Sequence, residues 1–146
     1  MRIDFYQLSR DPAEKVVAML AGKVRGLGER LLVVDGSPER LQATSKALWS
    51  EKPEAFLANG LATDPHAARQ PVLLATDCTT DNGASHAILM DGAWREEASG
   101  FARTMLLFDA GQTEAARELW RRLDAVEGAD RHIFKQREDG RWREGA

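Results

Sequence analysis

Three short apolar runs, Leu31-Leu32-Val33-Val34, Val72-Leu73-Leu74-Ala75 and Ala87-Ile88-Leu89-Met90, constrain this chain most. A strand with one wet face alternates apolar and polar residues. A run with no polar residue on either face reads as a strand covered on both sides, the normal state of a parallel sheet. Ile3 to Leu8 is less purely apolar but also carries apolar residues on both faces, with Ile3, Phe5 and Gln7 on one and Tyr6 and Leu8 on the other. It too reads as a strand covered on both sides. Thr104-Met105-Leu106-Leu107-Phe108 is a further strand, ended by Asp109-Ala110-Gly111.

Helical segments separate these runs. Asp11-Pro12-Ala13-Glu14 signals a start, with Asp11 as cap, Pro12 in the first turn and Glu14 completing a capping box. Ala13, Val16, Val17, Leu20, Val24 and Leu27 follow at helical spacing, and Gly26 and Gly28 end the segment. Ser37-Pro38 opens a second helix through Ser50, and Gln112 to Asp124 a third with Ala116, Leu119, Trp120 and Leu123 on one face. Glu97 to Ala102 reads as a short helix. Pro53 to Arg69 is loop-like, Asp77 to Ser85 is a polar connection turning at Asn82-Gly83, and His132 to Gln136 is an edge strand or extended tail. Strand–helix–strand order implies right-handed crossovers. The expected fold is one doubly wound α/β domain over residues 1–146, a mostly parallel sheet flanked by helices.

Charge and cysteine usage narrow the function classes. A net charge of -3 argues against a general nucleic-acid binder. The segment at about 131–146 is nonetheless basic, with Arg131, Lys135, Arg137, Arg141 and Arg143 against Glu138, Asp139 and Glu144. Cys78 is alone, so no internal disulfide forms and a reducing cytoplasm is the expected home. No apolar run approaches the ~20 residues of a membrane span. Asp4 stands where a signal peptide would carry its apolar stretch.

No catalytic residue, metal site or cofactor is expected. There is no phosphate-binding glycine loop, and Gly22, Gly26 and Gly28 lack the dinucleotide spacing. His66, His86 and His132 are too dispersed for a local zinc motif. Cys78 follows a strand, where α/β active sites gather, but no base accompanies it in sequence. The alternative function, a small α/β enzyme or nucleotide binder, would use the loops after Val34, Ala75 and Phe108.

Two features invite a partner instead. Trp49 and Phe56 flank Pro53 and can line an apolar pocket, or else plug the core. Arg117 and Arg121, four apart, form a ridge roughly 100° around the helix from Trp120. A basic ridge beside an aromatic patch suits an acidic peptide with a hydrophobic end; the alternative is a solvated face with Trp120 in the core.

The motifs, in order, resemble the chi subunit family of bacterial DNA polymerase III. Phe5-Tyr6-Gln7-Leu8 is similar to that family's opening strand, and Leu48-Trp49 followed by Phe56-Leu57 to its Leu-Trp segment and the loop beyond it. Gln70-Pro71-Val72-Leu73-Leu74 and Leu107-Phe108-Asp109 resemble later strands, and Phe134-Lys135-Gln136 through Gly140-Arg141-Trp142 the ending of one branch. Ala58-Asn59 replaces the family's Pro-His. The resemblance implies a Rossmann-like fold and a non-catalytic role in the clamp-loader part of the polymerase holoenzyme. It implies binding of the acidic, phenylalanine-ended tail of single-stranded DNA-binding protein, and in many members of the psi subunit. DNA is then met mainly through partners. Carried over, Trp49 and Phe56 form the apolar part of a tail site, with Arg117 and Arg121 its charge clamp beside Trp120.

Overall fold

The computed structural model describes residues 1–51 and 56–145. In chain order the main elements are β1 Arg2–Gln7, α1 Ala13–Gly26, β2 Leu31–Val34, α2 Pro38–Ser50, β3 Asn59–Leu61, β4 Val72–Ala75, β5 His86–Leu89, β6 Arg103–Phe108, α3 Thr113–Asp124, β7 Asp130–Gln136 and β8 Trp142–Glu144. The strands make one eight-stranded sheet ordered β3-β4-β2-β5-β6-β1-β7-β8. Every pairing described is parallel except β7 with β8. The expected α/β fold, a mostly parallel sheet with helices on its faces, is what forms.

The apolar runs are inaccessible because both faces of the sheet are covered. Leu31 and Val33 point into the layer shared with α1 and α2, where Val17, Leu20, Leu41 and Leu48 pack. Leu32 and Val34 point into the opposite layer, under Ala116, Leu119 and Leu123 of α3. α1 and α2 therefore lie on one side of the sheet and α3 on the other.

Local signals fix two helix ends. Ser37 Oγ accepts from the Arg40 amide at 3.3 Å, capping α2 as expected. Gly28, at φ 77, adopts the left-handed conformation that lets the chain turn after α1. The start of α1 differs from the expectation. Pro12 occupies the cap position with no side-chain cap bond. The Asp11 carboxylate instead accepts from Gln136 Nε2 at 2.6 Å, and Gln136 Oε1 accepts from the Asp11 amide at 3.1 Å. This distant partner on β7 takes the carboxylate away from the helix.

Two short edge strands were not expected. β3 falls within the segment read as loop, because Asn59-Gly60-Leu61 carries no alternation; residues 53–55 of that segment lie outside the described residues. β8 turns back at Asp139-Gly140, Gly140 having φ 88, and covers β7. β7 is thus an interior strand between β1 and β8, not an edge or a tail. Tyr6 holds the hairpin down, stacked on Phe134 at 4.8 Å and edge-on to Trp142 at 5.2 Å.

Asn82, expected only as a turn residue, is buried and donates to the carbonyls of Leu31 (3.2 Å) and Gln70 (3.0 Å). Asn82→Ala should destabilise by about 1–3 kcal/mol, because two buried carbonyls lose a donor. Urea unfolding checks this; a loss below ~0.5 kcal/mol would contradict it.

The hairpin is also pH-sensitive. His132 lies between Glu144, bonded to Nδ1 at 2.5 Å, and Asp130, whose Oδ2 is 3.1 Å from Nε2. Glu144 first, then Asp130, hold the imidazole pKa above its ordinary 6.5, against burial and Arg2. A raised folded-state value means that this stabilisation is complete below 6.5 and is lost as pH rises through the higher value. Melting temperature should accordingly fall across that window, and Glu144→Gln should flatten the slope. An unchanged slope in Glu144→Gln would exclude this contact as its source.

Candidate functional site

One groove is built around α3. In the turn before the helix, Asp109 Oδ1 accepts from the Gly111 amide at 2.9 Å, and Gln112 Oε1 accepts from the Asp109 amide at 3.0 Å. These reciprocal bonds fix the helix start at the C-terminal end of β6. The period of the helix then directs Ala116, Leu119 and Leu123 into the sheet, with Trp120 one step round at the margin.

Trp120 is half-buried and firmly seated. Its ring meets Phe5 edge-on at 5.2 Å, and the Arg131 guanidinium covers it 4.6 Å from the ring centroid. Arg131 is itself held, donating to the Trp120 carbonyl and to Asp124 Oδ1, each at 2.6 Å. Little side-chain freedom is left for a ligand to remove.

Beside Trp120 opens a groove of about 360 Å³. Phe5, Phe108, Ala116, Trp120 and Ile133 give it an apolar floor, and Arg117, Arg121 and Lys135 a cationic rim, with Gln7 and Thr113 between. No acid lines it. Arg117 contacts Glu114 at 3.2 Å, both side chains being mostly exposed, so that pair is worth at most about 1 kcal/mol. Arg121 and Lys135 have no ion-pair partner among the described residues. An apolar floor with uncompensated cations above it matches a hydrophobic group that carries, or adjoins, carboxylates.

The sequence-derived residues divide between two surfaces. Arg117, Trp120 and Arg121 meet in this groove. Trp49 and Phe56 do not join them: Leu48 fills the core position of α2, leaving Trp49 51% exposed, while Phe56 is 78% exposed with φ 48. Trp49 is carried by α2, and Phe56 adjoins Leu57, which packs in the α1–α2 layer, whereas the three groove residues belong to α3. The two groups therefore stand apart, Trp49 on α2 and the other three on α3, because alternate residues of each strand send the two helical layers to opposite faces. Phe5, Phe108, Ile133 and Lys135 were missed. The alternation of Ile133 and Lys135 in β7 was the available signal, but its use requires knowing that β7 lies beside β1.

The loops at the strand C-terminal ends bear on the enzymatic alternative. A cavity of about 290 Å³ there is lined by Leu41, Leu74, Asp77 and Asp81, among others. Nearby carboxylates already serve the loops. Asp35 accepts from the Ser37 amide at 2.8 Å and lies 3.4 Å from Arg40. Burial pushes the Asp91 carboxyl up, but Arg95 and the amides of Gly36 and Ala93 outweigh this and hold it below its usual range. Burial raises the Cys78 thiol against the opposing pull of Arg95, which disfavours the thiolate. His86, lowered first by burial and then by Arg103, shares a 2.8 Å hydrogen bond with Ser85. No cluster of metal-ligating side chains occurs among the described residues, and no described helix is long and apolar enough to cross a membrane.

Sheet and groove together describe an α/β protein that offers a preformed, cation-rimmed apolar surface. The chain belongs to the DNA polymerase III chi subunit family, HolC, whose model matches residues 1–129. Its role is that of an accessory subunit in DNA replication. No curated protein matches it.

Proposed function

We propose that this chain tethers its polymerase assembly to single-stranded DNA-binding protein by holding that protein's acidic, phenylalanine-ended C-terminal tail in the α3 groove. It acts in the cytoplasm without catalysis or cofactor, and meets DNA mainly through this partner. The observation that carries the reading is the combination of an apolar floor at Phe5, Phe108 and Trp120 with Arg117, Arg121 and Lys135 on the rim and, among the described lining residues, no acid between them. The terminal phenyl ring packs on the floor, and the rim cations orient the carboxylates around it and speed encounter.

A labelled acidic peptide ending in phenylalanine tests the reading by fluorescence anisotropy. Binding should weaken several-fold when salt rises from ~0.05 M to ~0.3 M, because the rim cations are open to solvent. Silence at low salt, or binding indifferent to salt, would refute it.

The exposure of Trp49 and Phe56 favours a second role on the other face. Two large aromatics left open beside a buried Leu48 suit a hydrophobic protein interface. This surface would take the psi subunit and thereby join the chain to the clamp loader. Trp49→Ala should then abolish co-purification with psi and spare the acidic peptide. Loss of the peptide instead would return Trp49 to the tail site.

A further inference from the structure

The groove is not where the positive charge ends. Lys135 of β7 and Arg143 of β8 are directly paired in antiparallel register, and both are exposed. Like charges in that relation repel, so the pairing costs stability unless an anion bridges them. Neither has an ion-pair partner among the described residues. Lys135, Arg137 and Arg143 line a shallow depression of about 460 Å³, and Lys135 also belongs to the α3 groove. Lys135 is thus shared between the groove that Arg121 rims and the depression that Arg137 and Arg143 line.

The neighbouring acids do not neutralise this strip. Asp139 accepts from the Arg141 amide within the turn, and Glu144 is bonded to His132 on the other face of the hairpin. Glu138 lies in the same exposed turn. The hairpin is held in place through Tyr6, Phe134 and Trp142. It also lies beyond the residues that the family model matches.

We propose that the open face of the β7–β8 hairpin is a second subsite for the docked peptide, taking the acidic run that precedes its hydrophobic end. This rests on the α3 groove reading and adds a direction to it. The apolar terminus lies against Trp120, and the chain leaves past Lys135 so that its upstream carboxylates bridge Arg143 and Arg137.

Two labelled peptides test this: a short one limited to the phenylalanine end and its adjacent acid, and a long one extended upstream by further aspartates. The wild type should bind the long peptide about tenfold more tightly. Arg137→Ala with Arg143→Ala should erase that advantage and leave the short peptide unaffected. Its melting temperature should be unchanged or higher, because a repulsion is relieved. Equal wild-type affinity for the two peptides overturns the second subsite alone, as does a double variant that keeps the advantage or weakens both peptides alike. Silence of the wild type towards both overturns the groove reading and this subsite with it. If the double variant instead loses binding to an oligothymidylate while keeping the long peptide's advantage, the hairpin serves nucleic acid and the proposal fails.

Discussion

Replacing Arg117 and Arg121 together by glutamate is expected to abolish binding of an acidic tail peptide at physiological salt. Both side chains stand on the groove rim, and Arg121 has no acidic partner among the described residues. Removing two charge-assisted contacts and adding two repulsive carboxylates should cost about 3–4 kcal/mol, or roughly 10²–10³-fold in affinity. Stability should move much less, by about 0.5–1 kcal/mol, because the positions are on the outer margin of α3 and the single pair lost, Arg117 with Glu114, is solvated. Anisotropy titration and thermal melting on the same preparation separate the two effects. Retained affinity in a folded variant would remove the charge clamp from the account.

Phe5→Ala is the second large effect, and it joins stability to binding through one side chain. Phe5 is 1% exposed on β1, between β6 and β7, with its ring at 6.5 Å from Phe108 and 5.2 Å from Trp120. Truncation leaves a cavity that an interior parallel strand cannot relax to fill, so a loss of about 3–5 kcal/mol is expected in urea unfolding. A folded control is provided by Phe5→Leu, which keeps most of the volume and should cost about 1–1.5 kcal/mol. Trp120 would still lose its aromatic edge contact in that variant, so peptide affinity should fall while the fold persists. Unchanged affinity in Phe5→Leu would mean that Trp120 is seated by Arg131 alone.

Much of this architecture is visible in the residues themselves. Leu31–Val34, Val72–Ala75 and the run at Ala87 are buried strands because they offer water nothing on either face. Ser37-Pro38 and Gly28 mark helix boundaries because their preferences are local. Distant competition defeated other local signals. Asp11 looks like a cap, yet it is claimed by Gln136, 125 positions away. β3 and β8, three residues each, lack the length for a pattern to appear and exist because a neighbouring strand offers partners.

The site divides along the same line. Arg117, Trp120 and Arg121 are legible from helical spacing, since one turn sets them side by side. Ile133 and Lys135 enter the groove only because β7 pairs in parallel with β1, with Phe5 opposite Ile133 and Gln7 opposite Lys135. The exposure of Trp49 and Phe56 is not legible in the same way. Aromatic character marks a binding residue but says nothing about the face of the sheet to which the chain carries it.

The four tryptophans make the central claim directly measurable, since each indole N–H gives its own signal in a ¹⁵N-labelled sample. Titration with the acidic, phenylalanine-ended peptide should shift the Trp120 indole progressively and leave those of Trp49 and Trp94 in place. A shift at Trp49 with Trp120 unmoved would contradict the account and transfer the tail to the opposite face of the sheet.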